Sequence, residues 1–234
     1  MLILKEMARG RLIQKVAILV WKQQNRMITT GHPSGDPEGL RKLYDHVLWA
    51  DSELKRIWKD SPALLQDKGA AEYPHFEYIG RVNLLSMAHK IFTIHRHFQL
   101  RSFKDNWYAY SRMSCVSIAR RGLLAVETWP SESYSIASFR MWTVVTHTIS
   151  CAIVLVLALM FNSDSDATYD VEELRRLIIL GRDKIQAVEH WSKIAQQGIK
   201  LINVLLTALE SMVHNEKVEP VSYTHLTLPT NREV

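Results

Sequence analysis

Met141-Trp-Thr-Val-Val-Thr-His-Thr-Ile-Ser-Cys-Ala-Ile-Val-Leu-Val-Leu-Ala-Leu-Met-Phe161 is the longest uncharged run of the chain, and its surroundings decide the fold. The run is about as long as the roughly 20 apolar residues needed to cross a bilayer. Arg140 precedes it and acidic residues follow, an order compatible with a membrane span near 141–161 and a membrane-associated helical protein. Against that reading, Thr143, Thr146, His147, Thr148 and Ser150 thin the hydrophobicity of its first half. A helix apolar all round is also what the centre of a large bundle uses. The flanking sequence favours this core role, because it carries amphipathic helices that need something to bury against.

Working outward, Val171, Leu174, Ile178, Ile185 and Val188 form one apolar stripe at helical spacing. Ala195, Ile199, Ile202, Leu206, Leu209 and Val213 form another, following a weak point at Gln196-Gln197-Gly198. The loop Asn162–Asp166 and the acidic pair Glu172-Glu173 supply helix-start chemistry, since negative charge favours a helix N-terminus. On the other side, Tyr108, Ser111, Cys115, Ile118 or Ala119, and Gly122 share a face whose small residues admit a close neighbour. Asp105 is placed to cap that helix, and Trp129-Pro130 to end it.

A long helix is predicted from about Pro74 to Leu100, with Leu84, Met87 or Ala88, Ile91, Ile94 or His95, and Phe98 on one face. Leu40, Leu43, Val47, Ala50, Leu54 and Ile57 make a further stripe. Asp36 and Pro37 stand at its start, and Ser61-Pro62 at its end. A weaker pattern (Leu12, Ile13, Val16, Val20) runs through residues 2–28. No strand-like alternation and no internal repeat interrupts this series. The expectation is an all-α, irregular bundle of about six to seven helices around a central apolar one.

Composition narrows the function. The formal charge is +5, and residues 1–30 account for it, holding Lys5, Arg9, Arg11, Lys15, Lys22 and Arg26 against Glu6 alone. A body neutral on balance lacks the concentrated basic face of a DNA-reading domain. The basic stretch reads as a solvated helix face, and Met1–Glu6 opens no signal peptide. Cys115 and Cys151 are the only cysteines; they form no ligand spacing and no disulfide framework. His95 and His97 are two apart, which points helical side chains in different directions, and His147 and His190 stand alone in the sequence. His95 is expected to pack, and Arg96 to cap or pair near the helix end. Gly-x-Ser-x-Gly, P-loop and Gly-x-Gly-x-x-Gly patterns are absent. No catalytic, cofactor-binding or metal-ligating residue is assigned, and no enzyme is expected.

The stretch His89-Lys-Ile-Phe-Thr-Ile-His95-Arg96-His97-Phe98-Gln-Leu100, followed by Tyr108-Ala-Tyr110-Ser111-Arg112-Met-Ser-Cys115-Val-Ser-Ile-Ala119-Arg120, is specific. It resembles the fungal-specific transcription factor domain, the middle homology region of zinc-cluster transcription factors. That family shows a helix ending in a Leu/Ile-His-Arg-Pro-Phe pattern. A short loop leads from there to a Tyr-(any)-Ser-Arg-(any)-(any)-Cys-(any)-(any)-Ala-Arg-like helix. Leu43-Tyr44, Trp49-Ala-Asp51, Leu54 and Ser61-Pro62 resemble its upstream segment, and Met141-Trp142 to Phe161-Asn162 fall where its most buried helix lies. His97 departs from the family's proline and would let the helix run further.

The resemblance, over roughly residues 35–214, implies a nuclear regulatory module in transcription by RNA polymerase II. DNA would be bound by a zinc cluster outside this chain, the only place where zinc is implied. Coregulator proteins, a small-molecule inducer and homodimerisation through the parent protein are the other implied partners; no membrane is expected.

Residues 1–34 are expected to form a partial N-terminal helix and loop, and 215–234 an unstructured tail. Within the tail, Val221–Thr230 resembles the translation of a transposase-based sequencing adapter. Asn231-Arg232-Glu233 then cover its index and Val234 its last codon, so 221–234 reads as artefactual. The natural protein is expected to continue beyond Pro220.

Overall fold

The computed structural model describes residues 11, 14–22, 25, 37–62, 65–66, 74–128, 139–161 and 169–214. Asp36, Trp129-Pro130, the 162–166 loop and the whole 215–234 tail lie outside them. The described residues form helices and turns without strands. Helical residues 14–22 are α1. They are followed by α2 (Pro37–Lys59), α3 (Pro74–Gln99), two 3-10 turns (Arg101–Phe103 and Asn106–Tyr108) and α4 (Ala109–Glu127). The series ends with α5 (Trp142–Met160), α6 (Val171–Gln186) and α7 (Lys193–His214).

α5 is the axis of the bundle and packs against α3, α4, α6 and α7. It is long and apolar enough to cross a membrane, yet 72% of its apolar window is buried inside the protein. Its hydroxyls return to the helix's own carbonyls, so the fully buried Thr148 leaves no donor unpaired. Thr146 donates to Trp142 O (2.8 Å), Thr148 to Val144 O (2.8 Å) and Ser150 to Thr146 O (2.9 Å). The core-helix reading of Met141–Phe161 therefore agrees with its surroundings.

The stripes of α3, α6 and α7 face this axis, and that of α2 packs on α3. Leu43, Val47, Ala50 and Leu54 of α2 are buried, as are Leu84, Met87, Ala88, Ile91, Ile94 and Phe98 of α3. Leu174, Ile178, Ile185 and Val188 do the same around α6, and Ala195, Ile199, Ile202, Leu206 and Leu209 in α7; Val171 stays partly exposed. The small face of α4 also behaves as expected, since a β-carbon at Gly122 would lie 3.1 Å from Cys151 Sγ of α5.

Helix ends follow local chemistry. Pro37 opens α2, and α2 stops at Lys59, before Ser61-Pro62. Asp105 accepts from Trp107 N at 2.9 Å and caps the 3-10 turn that feeds α4. Asp170 caps α6 by accepting from Glu173 N at 3.0 Å, which places Glu172 and Glu173 in its first turn. Helix α3 runs past His97 to Gln99.

One boundary differs from the sequence expectation. Gln196-Gln197-Gly198 is no weak point: it lies inside α7, and the break falls between Gln186 and Lys193. Ser192 Oγ accepts from Ala195 N (3.2 Å) and Gln196 donates to Glu189 O (2.9 Å), so the turn is fastened from both sides. Gly198 is there because α5 leaves no room for a side chain.

Candidate functional site

Where α2, α3 and α4 meet, the apolar core is interrupted by a polar cluster with a buried aspartate at its centre and Lys55 and Tyr110 partly exposed at its edge. Asp51 sits on the inner face of α2 with Val47 and Leu54, fully buried. Its carboxylate meets four groups, matching its four acceptor directions. Tyr110 hydroxyl (2.5 Å) and Lys55 Nζ (2.7 Å) donate to Oδ2. Ser114 Oγ donates to Oδ1 (3.1 Å), and His95 Nε2 lies 3.2 Å from the same oxygen. That last approach misses hydrogen-bond alignment and acts as an electrostatic contact. Lys55 also donates to Tyr110 hydroxyl (2.9 Å) and Ser114 Oγ (3.1 Å), so its ammonium is held by three partners.

Burial works against the Asp51 charge. The contact with His95 and the bonds from Lys55 and Tyr110 outweigh it and hold the carboxyl well below the usual carboxylate range. Burial likewise opposes the Lys55 charge, and its bonds to Asp51 and Tyr110 raise it above its ordinary value.

The cluster continues through His95 Nδ1, 2.9 Å from Ser111 Oγ, with the Tyr44 hydroxyl beside Ser111. Ser111, His95 and Asp51 thus stand in the order of a hydrolytic relay. All three are 0% exposed, so no substrate reaches Ser111, and Asp51 is saturated by other partners. The arrangement fastens three helices together.

The residues that carry the sequence resemblance are those that build this junction. His95, Phe98, Tyr108, Ser111, Arg112, Ser114, Cys115 and Ala119 are all buried. Phe98 and Tyr108 stack around Tyr44 with ring centroids 4.8 Å away in each case. Arg112 donates to Ser102 O (2.7 Å) and lies over the Phe103 ring, pinning the 3-10 turn between α3 and α4. Arg96 is exposed in the last turn of α3, where positive charge suits the helix C-terminus.

The remaining sequence candidates fall elsewhere. His147 is not isolated: its ring stacks on His89 of α3 at 4.5 Å, inside the core. Burial, with the neighbouring charge of Lys90, lowers both; His147 also feels His89 and is pushed down to about 3. His190 is exposed against Trp191. Cys115 and Cys151 are buried free thiols whose pKa burial pushes up. Among the described residues no three of His, Cys, Asp or Glu gather around a metal-sized position. Those residues do not fit the six-cysteine chemistry of a zinc cluster.

Two concavities adjoin these elements. A groove of about 510 Å³ runs between α1 and α2, bordered by Lys15, Lys22, Trp49 and Arg56. A cavity of about 320 Å³ lies between α2, α3 and α4, next to Lys55 and Ser114 of the buried cluster. Sequence reading named Asp51 and Tyr110 only within the stretches of the resemblance, did not join them, and missed Lys55. The available signal was an aspartate lying on the apolar face of α2.

No family model matches the chain, and no solved structure matches it. It is similar to the agnestins biosynthesis cluster transcription factor AgnL11 of Paecilomyces divaricatus, with 27% identity over 164 residues. That stretch covers 70% of this chain and 23% of the AgnL11 protein's length. The chain is thus similar to part of a fungal transcription factor.

Proposed function

We propose that this chain is the helical regulatory region of a fungal zinc-cluster transcription factor, acting in the nucleus on transcription by RNA polymerase II. The carrying observation is the similarity to AgnL11 over 70% of the chain. The buried junction of α2, α3 and α4, built from the residues of the family resemblance, supports it. In this reading the chain performs no catalysis. A zinc cluster outside these 234 residues reads DNA, and the bundle contacts coregulators or the parent protein's second copy through helix faces. A small-molecule inducer would act by biasing those contacts.

The test fuses the chain to a heterologous DNA-binding domain in a fungal reporter strain. Reporter transcription should differ severalfold from that of the DNA-binding domain alone at equal promoter occupancy. An Asp51→Ala variant, which uncouples α2 from α3 and α4, should lose the difference. Unchanged transcription at full occupancy would remove the regulatory assignment.

A further inference from the structure

The cavity between α2, α3 and α4 has the makings of a ligand site. Its apolar wall comes from the half-buried Trp58 of α2 and Ile118 of α4, backed by the buried Leu84, Met87 and Ile91 of α3. Its charged lining is cationic, Lys55 and Arg121, and no carboxylate lines it. The Lys55 ammonium is directed to Asp51, Tyr110 and Ser114, and its methylene stem borders the cavity. Arg121 is half-buried, and its five donors can receive an acid beside other partners. At interior packing density, about 320 Å³ holds roughly a dozen non-hydrogen atoms.

We propose that this cavity binds a compact one- or two-ring molecule carrying a single carboxylate, its rings between Trp58, Met87 and Ile118 and its acid toward Arg121. Charge selects the ligand: a neutral molecule of the same shape gains the apolar contacts only, whereas a second anionic group would meet only Lys55, whose ammonium already faces the Asp51 carboxylate. The inference concerns binding alone and does not depend on the transcriptional reading.

The probe is 2-naphthoate, with 2-naphthamide as its neutral counterpart. Both are titrated into the 234-residue chain carrying 13C-methyl methionine, and the Met87 methyl resonance, assigned by a Met87→Leu variant, is followed. Naphthoate should shift that resonance with a Kd of roughly 0.1–1 mM, as expected for so small a ligand. Naphthamide should bind at least about fivefold more weakly, and Arg121→Gln should abolish the difference between the two. Ser117 is exposed on the cavity's lip, so Ser117→Phe should block both ligands while leaving the helical circular dichroism unchanged. A Met87 signal unmoved by millimolar naphthoate overturns the proposal, as does equal binding of acid and amide or full binding by a folded Ser117→Phe protein. If Ser117→Phe does not fold, the acid–amide comparison in the unsubstituted chain and in Arg121→Gln decides.

Discussion

Gly198 of α7 lies so close to Ile149 of α5 that a β-carbon on residue 198 would stand 2.2 Å from Ile149 Cδ1 and 2.6 Å from Cγ1. In an isolated helix, replacing glycine by alanine gains about 1 kcal/mol. Here overpacking reverses the sign, at about 1–3 kcal/mol for a methyl forced into a packed site. Gly198→Ala should therefore lower stability in urea by about 1 kcal/mol. In an Ile149→Ala background, where the obstructing atoms are gone, the same change should stabilise.

Removing the anion of the buried cluster should be far more damaging. Asp51→Ala leaves the buried Ser114 hydroxyl and His95 ring without their anion, while the partly exposed Lys55 and Tyr110 turn to water, a loss of about 2–3 kcal/mol. Ser114→Ala removes one hydroxyl from the network and should cost about 1 kcal/mol. Because Asp51 and Tyr110 touch, the Asp51→Ala and Tyr110→Phe losses should fall short of additive in a double-mutant cycle.

Stability should depend on pH in two overlapping windows. His89 and His147 have depressed values in the fold, so the unfolded chain takes up protons first as pH falls below about 6.5. Their contribution is complete above that value and declines toward the folded value of His147, about 3. Each such histidine contributes a slope of at most about 1.4 kcal/mol per pH unit. Urea midpoints measured from pH 7.5 to 5 should drop accordingly, and a His147→Gln variant should show a flatter profile.

Asp51 acts lower down. Its carboxyl is depressed in the fold, so its stabilisation is present above the ordinary carboxylate range and is lost as pH falls through about 4 and below. Asp51→Asn should reduce stability at neutral pH and narrow its gap to the parent protein near pH 3.

Both thiols should be silent in the native state. Cys115 and Cys151 are fully buried and burial raises their pKa, so a thiol reagent should modify neither until denaturant is added, and then both. Fast native labelling of either would contradict the packing of α4 against α5.

The stripes of α2, α3, α6 and α7 were legible because burial on one face leaves a period in the sequence. Asp51 was not. An aspartate four residues before Lys55 looks like an ordinary exposed helical pair, and its other partners lie 44, 59 and 63 positions away along the chain. Gly198 misled for a related reason. A glycine weakens a helix locally, but here its bareness serves the contact with Ile149, and that is a property of two helices. The junction residues around Ile94–Arg120 stood out only through family resemblance, since hydrogen bonds between helices leave no period.

The central position of α5 has a consequence during synthesis. Its partners α3 and α4 precede it, while α6 and α7 follow, so the nascent helix emerges with one side covered and the other bare. The roughly fifty residues that complete its shell take several seconds to translate at about 5–20 residues per second. Throughout that interval an uncharged 19-residue helix faces solvent, a binding platform for ribosome-associated chaperones and a hazard in any product that stops before α7. A ribosome pause between α5 and α7 should thus lower the yield of folded protein more than one placed before α5.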